Sequence, residues 1–230
     1  GDLYEIGPVF RAKERGQRHR REFTMLEWYR IHRDWQQMAR ETLELIETCT
    51  PHEHPGWQHR TVTWDALFRE RLNIDPLLAP EAAHALTAEE LPADCDIDMR
   101  LDYLFSRHIQ DHFPSNQLTM VHGYPATQAA LACLDPTDPR RACRFEIFAG
   151  TLELANGYQE LTDPIEQRQR FERDNERRAQ LGRPAMPLDE ALLAAMAHGL
   201  PRCTGVALGV ERLLMALTGL EQIHDVMAFG

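Results

Sequence analysis

The sequence predicts an α+β fold, an antiparallel sheet flanked by helices. Three observations carry this. Strand-like and helix-like stretches follow one another irregularly, which does not fit the strict alternation of a βαβ wind. Two pairs of strand-like stretches lie side by side in the chain, at Leu3 to Tyr29 and at Arg144 to Ala155, as hairpins do. The 230 residues are 43% hydrophobic, enough to bury the core of one large domain or two small ones.

Leu3 to Phe10 is apolar and partly alternating, and Phe23 to Tyr29 is rich in aromatics, so both read as strands. Their connection, Arg11 to Glu22, holds five arginines and Lys13, the only lysine of the chain. A loop of that length between strands is more often a functional device than a plain turn. Guanidinium forks suit phosphate oxygens, because two N–H groups bind in parallel. In the second strand Phe23, Met25, Glu27 and Tyr29 share one face. A cationic loop beside an anionic, aromatic strand suits a ligand with phosphates at one end and an ammonium at the other.

Residues 33–48 predict an amphipathic helix, with Trp35, Met38, Ala39, Leu43 and Ile46 at helical spacing. Cys49 to His59 reads as a solvated loop. Its cysteine and histidines could in principle bind a metal, but nothing fixes them on rigid elements. Trp64 to Asn73 predicts a short helix with Thr63 as N-cap and Asp65 in the first turn. Ile74 to Asp96 reads as helical between prolines, and Asp98 to His112 as a further helix. His108 and His112 are four apart, without the glutamate that the zincin pattern requires. Leu118 to His122 predicts a strand ended by Gly123-Tyr124-Pro125. Ala126 to Leu134 is a short apolar stretch, and Asp135 to Arg141 a loop. Asp163-Pro164 opens a long polar helix, with Asp163 as cap and Glu166 as its reciprocal partner, ending at Gly182. Pro187 to His198 is a helix, Cys203 to Leu208 a strand and Val210 to Leu217 a helix.

Net charge of −11 disfavours nonspecific nucleic-acid binding, which needs a broad basic surface. Five scattered cysteines, an odd number, argue against a disulfide framework and for a reducing compartment. No run approaches the roughly 20 apolar residues needed to span a bilayer, and the chain opens without a signal-peptide pattern.

The second hairpin carries the sharpest chemical hint. A two-residue turn at Ala149-Gly150 would set Glu146 directly opposite Glu153. Two facing carboxylates repel, and a hard divalent cation would offset this. Gly157 weakens a regular ladder and predicts a bulge or a close backbone approach to a ligand. Glu160, if buried, needs a cation; on a surface strand end it would need none.

Three stretches then resemble one family. FRAKERGQRHRREFTMLEWY is similar to motif 2 of the class II aminoacyl-tRNA synthetases in the lysyl form. EIFAGTLELANGYQELTD and GVALGVERLLM resemble the rest of the same catalytic site. Within that family the chain resembles the branch that ligates (R)-β-lysine to elongation factor P. The resemblance implies a class II sheet and one catalytic-core domain over residues 1–230, with a helical insertion at about 33–115. It implies ATP and Mg2+, the metal held by Glu146 and Glu153. Arg11 matches the α-phosphate contact and Arg212 the arginine on the ATP tail, and these two are the expected catalytic residues. His19 matches a histidine near the outer phosphates, and Phe23 the ring stacked on adenine. Glu27, Tyr29, Asn156 and Tyr158 match the amino-acid pocket, and Glu160 the partner of the substrate's side-chain ammonium. Ala207 stands where lysyl-tRNA synthetases have glycine, GLGIG against GVALG here, and the β-lysine ligases have alanine. One methyl on a pocket wall can be worth about 1–3 kcal/mol in discrimination.

The chain departs from the pattern at Lys13, where motif 2 has glutamate, at Arg20-Arg21, and at Glu211. Motif 1, which forms the family's dimer, and a Ser-Pro-Glu-like segment that reads the α-amino group do not occur in residues 1–230. A missing upstream part and a truncated gene both stay open as explanations, and the absence bears on dimerisation and on substrate binding. The implied activity is an AMP-forming amino-acid–protein ligase of the cytoplasm. Its expected partners are elongation factor P and β-lysine or lysine, with a homodimer possible and no membrane. Without an anticodon-binding module, tRNA is not an expected partner. Two alternatives stay open: a lysyl-tRNA synthetase paralogue that activates lysine, and an inactive nucleotide-binding remnant.

Overall fold

The computed structural model describes residues 1–12 and 16–227. Lys13 and Glu14, where the sequence departs from motif 2, lie outside them. The first hairpin forms as expected. Strand β1 (Leu3–Phe10) pairs antiparallel with β2 (Glu22–Ile31), from Leu3 opposite Tyr29 to Phe10 opposite Glu22. Helix α1 (Trp35–Cys49) follows, started by a capping box in which Asp34 and Gln37 satisfy each other's backbone N–H groups.

The next stretch differs from expectation. Strand β3 (Gln58–Thr63) lies inside the region read as a helical insertion and covers His59, which was read as loop. It joins the sheet edge by parallel pairing with β4 (Gln117–His122). Arg60, Val62 and their neighbours alternate too weakly to advertise a strand whose partner lies more than fifty residues away. Helix α2 (Trp64–Leu72) starts on Thr63, whose hydroxyl accepts from Ala66 N. Then come α3 (Ala82–Leu86) and α4 (Ile97–Leu104). α4 continues as a π turn over Phe105–Ile109 and a 3-10 turn over Gln110–His112.

The second hairpin, β5 (Arg144–Ala149) and β6 (Leu152–Gln159), precedes α5 (Pro164–Gln180), α6 (Glu190–Gly199), β7 (Cys203–Gly209) and α7 (Val210–Thr218). Asp163 caps α5 through Ile165 N and Glu166 N. The Glu166 carboxylate does not reach back, because it is paired with Arg170 one turn on at 2.5 Å.

The described strands form one seven-stranded sheet, ordered β1-β2-β7-β6-β5-β4-β3 and antiparallel except at β3–β4. The class II-like α+β fold predicted from the sequence is the fold observed. One sheet face is closed by α1: Trp35, Met38 and Ile46 pack on Phe145, Ile147, Val206 and Leu208. On the other face a second core, with Trp64, Phe68, Phe105, Tyr124 and Phe148, covers only the β3–β4–β5 end. The β2–β7–β6 part of that face stays open. Among the described residues no helix is long and apolar enough to cross a membrane.

Candidate active site

Strand alternation and register bring the polar residues of the open face into rows. Glu27, Ala207, Asn156 and Glu146 are successive cross-strand neighbours. Tyr29, Gly205, Tyr158 and Arg144 form the next row. The floor is β7, which presents Gly205, Ala207 and Gly209 along the middle of this face, with Cys203 at its start, so a ligand can lie close to the backbone.

Glu146 and Glu153 reach this face by a route the sequence did not show. The turn falls at Gly150-Thr151 instead of Ala149-Gly150, with Gly150 at φ +52°. Ala149 pairs with Leu152, Phe148 with Glu153, and Ile147 with Ala155. Leu154 is thus the extra residue of a β-bulge. Glu146 lies opposite Asn156 and not opposite Glu153. Three residues separate Glu153 from Asn156, which would put them on opposite faces of a regular strand. The bulge returns Glu153 to the face of Glu146.

Both carboxylates line a cavity of about 250 Å³, together with Arg11, His19, Phe23, Asn156, Ala207 and Arg212. Eight of the residues singled out from the sequence, drawn from three distant segments, therefore meet in one cleft. Arg18, Arg20 and Glu211 also line it. Arg11 N donates to Arg21 O at 2.8 Å and Gly16 bridges His19, and Arg18, His19 and Arg20 come to the cleft wall. The Arg11 guanidinium stands 5.2 Å from the Phe23 ring centroid. Arg212, in the first turn of α7, donates to the Glu153 carbonyl at 3.0 Å. It is 3.4 Å from Glu153 Oε2 and 2.8 Å from His19 Nε2. Buried Glu211 fixes α7 to β2, both its oxygens accepting from Thr24 N at 2.9 Å.

Glu146 is buried and fully engaged, as a buried carboxylate must be. The Tyr124 hydroxyl donates to its Oε2 at 2.6 Å; Arg144 and Asn156 donate to Oε1 at 2.5 and 3.1 Å. Burial, and then the Glu146 charge, push the Tyr124 phenol well up, so it remains a donor. Glu153 sits at the bottom of the cleft, its side chain 36% accessible but hemmed in by protein. Burial first and the Glu146 carboxylate second push it up to about 7, against the pull of Arg212, Arg144 and Arg11. Two carboxylates in one cleft, one of them raised by the charge of the other, fit a divalent cation.

Glu27, Tyr29, Tyr158 and Glu160 are not part of that cavity wall. Tyr29 and Tyr158 stand one row further along the same face, Glu160 comes after Tyr158, and Glu27 ends the row of Ala207 and Asn156. A Cβ on Gly205 would come within 2.5 Å of Tyr29 Cε1 and 2.7 Å of Glu160 Oε1, so these two side chains meet over the glycine. Burial, helped by Cys133, pushes Glu160 up to about 8. Burial and then Glu160 raise both phenols, Tyr158 and Tyr29, with Glu27 contributing. Among the described residues no cation offsets the burial of Glu160, so a cationic ligand would supply the charge its ionised form needs.

Gly157 is a correction. Its missing Cβ points into the core, where it would stand 2.5 Å from Phe145 Cζ. The glycine serves packing on the α1 side, not a ligand. Sequence reasoning passed over Arg144 and Tyr124, which hold Glu146, and Gly205. Arg144 precedes Glu146 by two residues in one strand, so alternation could have flagged it. Tyr124 arrives from another segment and gave no such signal. Among the described residues no three or more His, Cys, Asp or Glu side chains gather as a metal cluster.

A sheet of this order, carrying an arginine-and-carboxylate cleft beside an acidic pocket, is a class II synthetase core. The chain belongs to the family described as tRNA synthetases class II (D, K and N), whose profile matches residues 1–230. It is similar to proteins named elongation factor P--(R)-beta-lysine ligase. The one from Mannheimia succiniciproducens is 43% identical over all of this chain and 71% of its own length. Those from Photorhabdus laumondii and Salmonella paratyphi B are each 42% identical, with the same coverage. Membership of this family implies the use of ATP.

Proposed function

We propose that the chain activates (R)-β-lysine with ATP and transfers it to a lysine of elongation factor P. What carries the reading is the sharing of one open sheet face by the Arg11–Arg212–Glu146–Glu153 cleft and the Glu160 pocket. The printed names of the relatives support it.

In this reading Phe23 stacks on adenine, and Arg11, His19 and Arg212 bind the phosphates. Glu146 and Glu153 would hold magnesium, which when bound supplies positive charge to the phosphate oxygens. Glu160 pairs with the substrate's side-chain ammonium, while Tyr158, Tyr29 and Glu27 wall its pocket. Asn156 and Ala207 form the floor between the two subsites. A substrate carboxylate oxygen attacks the α-phosphorus, and the bond to pyrophosphate breaks with its electron pair leaving on pyrophosphate. Arg11 and Arg212 stabilise the charge that builds on the α-phosphate. The acceptor lysine amine then attacks the acyl carbon, loses a proton, and AMP leaves. Holding the reactants in line supplies much of the rate, so no side-chain nucleophile is required.

The chain works in this reading as one catalytic core in the cytoplasm, with a segment at about 33–115 that is helical except for β3 and supplies α1 to the core and β3 to the sheet edge. A homodimer is compatible with it, and the acceptor in this reading is a protein lysine. Pyrophosphate exchange measured with (R)-β-lysine and with α-lysine tests it on the full-length protein. Preference for the β-amino acid is expected. Preference for α-lysine would favour a lysine-activating paralogue, and exchange with neither an inactive remnant.

A further inference from the structure

Cys133 and Cys143 lie beside the Glu160 pocket, and nothing in the proposed chemistry uses them. They face each other across a short antiparallel bridge. Leu134 pairs with Ala142, and Cys143 N donates to Cys133 O at 2.9 Å. Directly opposite residues of an antiparallel pair have Cα atoms about 4.5–5.5 Å apart, within the range a disulfide accepts. Both side chains belong to the same packed cluster, on the Phe145 and Ala155 side of the sheet. Cys143 is buried and Cys133 half-buried, so one sulfur is reachable from solvent and the other waits behind it. Arg170 brings positive charge close by, donating to the Ala132 carbonyl at 2.7 Å. Cys143 first, then Arg202 and Arg170, hold the Cys133 thiol below its ordinary value, which favours its thiolate as the attacking group, while Cys133 and burial push the Cys143 thiol up and keep it protonated until Cys133 has reacted.

We propose that Cys133 and Cys143 form a reversible disulfide site that takes low-molecular-weight disulfides such as oxidised glutathione. The Cys133 thiolate attacks one glutathione sulfur, and one glutathione leaves as thiolate. The Cys143 thiol then gives up its proton and attacks the Cys133 sulfur, expelling the second glutathione. Two protein thiols are oxidised and one glutathione disulfide is reduced to two thiols.

The bond would reach the pocket through the backbone. Cys133 N donates to Gln159 O at 2.8 Å, Gln159 N donates to Cys143 O at 2.9 Å, and Ala132 pairs with Glu160. Both cysteines are thus tied to the end of β6 that carries Tyr158 and Glu160. Oxidation changes amino-acid binding and leaves ATP binding alone; this consequence, unlike the site itself, rests on the reading of Glu160 given above.

Peptide mapping of the full chain after treatment with oxidised glutathione tests the site without any activity measurement. A Cys133–Cys143 cross-link that dithiothreitol removes is expected. Cys143→Ser should stop at glutathione on Cys133, and Cys133→Ser should give neither product. Glutathione on Cys49 or Cys95 with no Cys133–Cys143 link in the folded wild type would overturn the proposal. In the oxidised protein KM for the amino acid should rise severalfold with KM for ATP unchanged. A link that forms without moving the amino-acid KM would refute the coupling but not the site.

Discussion

Two glycines on neighbouring strands separate binding from stability. Gly205 and Gly157 lie on opposite faces of the sheet, and a methyl at either meets atoms at 2.5 Å. At Gly205 those atoms are side-chain ends, Tyr29 Cε1 and Glu160 Oε1, which can swing away. At Gly157 they belong to Phe145, which is fully buried, with Val206 Cβ at 3.0 Å behind. Gly157→Ala should therefore destabilise the fold by about 1–3 kcal/mol, the cost of overpacking a core. Gly205→Ala should cost less stability but displace Glu160 from the substrate ammonium. A hydrogen bond to a charged group is worth about 1.5–3 kcal/mol, so KM for the amino acid should rise about tenfold to a hundredfold. Pyrophosphate exchange at varied amino acid and at varied ATP, with thermal unfolding of both variants, reads this out. An unchanged amino-acid KM in Gly205→Ala, or an equal loss of stability in both variants, would refute the assignment of the two faces.

Further outcomes follow from the same geometry. Without substrate, Glu160 keeps its proton up to about pH 8, against an ordinary value of 4.5. The folded state then binds more protons than the unfolded one, and the Glu160 contribution to stability falls as pH rises through that window. A cationic substrate needs the carboxylate ionised, so KM for the amino acid should fall by up to about tenfold per pH unit as pH 8 is approached. Glu160→Gln should flatten that dependence. Tyr124→Phe removes a donor from buried Glu146 and should weaken magnesium dependence by about 10–100-fold, as loss of an outer-shell partner does; a magnesium titration of exchange checks it. Ala207→Gly should shift preference toward α-lysine within the range of about 1–3 kcal/mol for one methyl, and an unchanged ratio would remove Ala207 from the account.

Local signals wrote most of this fold into the sequence. The first hairpin was legible because Leu3–Phe10 and Phe23–Tyr29 are compositionally distinct from the arginine loop between them. Thr63 and Asp163 marked helix starts because capping is chemistry within four residues. Non-local features were hidden. β3 exists through its pairing with β4, which no short window contains. The second hairpin was recognised but its turn was misplaced by one residue, because Ala149-Gly150 and Gly150-Thr151 both offer the glycine a turn needs. The bulge at Leu154 compensated, leaving Glu146 and Glu153 on one face by different pairing. Alternation and family resemblance pointed to the cleft residues, whereas Tyr124 and Arg144 became visible only once the cleft was assembled.

The account holds that guanidinium and carboxylate groups from the first hairpin, the second hairpin and α7 bind one metal-bearing nucleotide. A structure of the full-length protein with a non-hydrolysable ATP analogue and manganese tests this most directly. An anomalous peak between Glu146 and Glu153, with the phosphates against Arg11 and Arg212 and the adenine on Phe23, is the predicted result. Phosphates or manganese bound away from that cleft would contradict it.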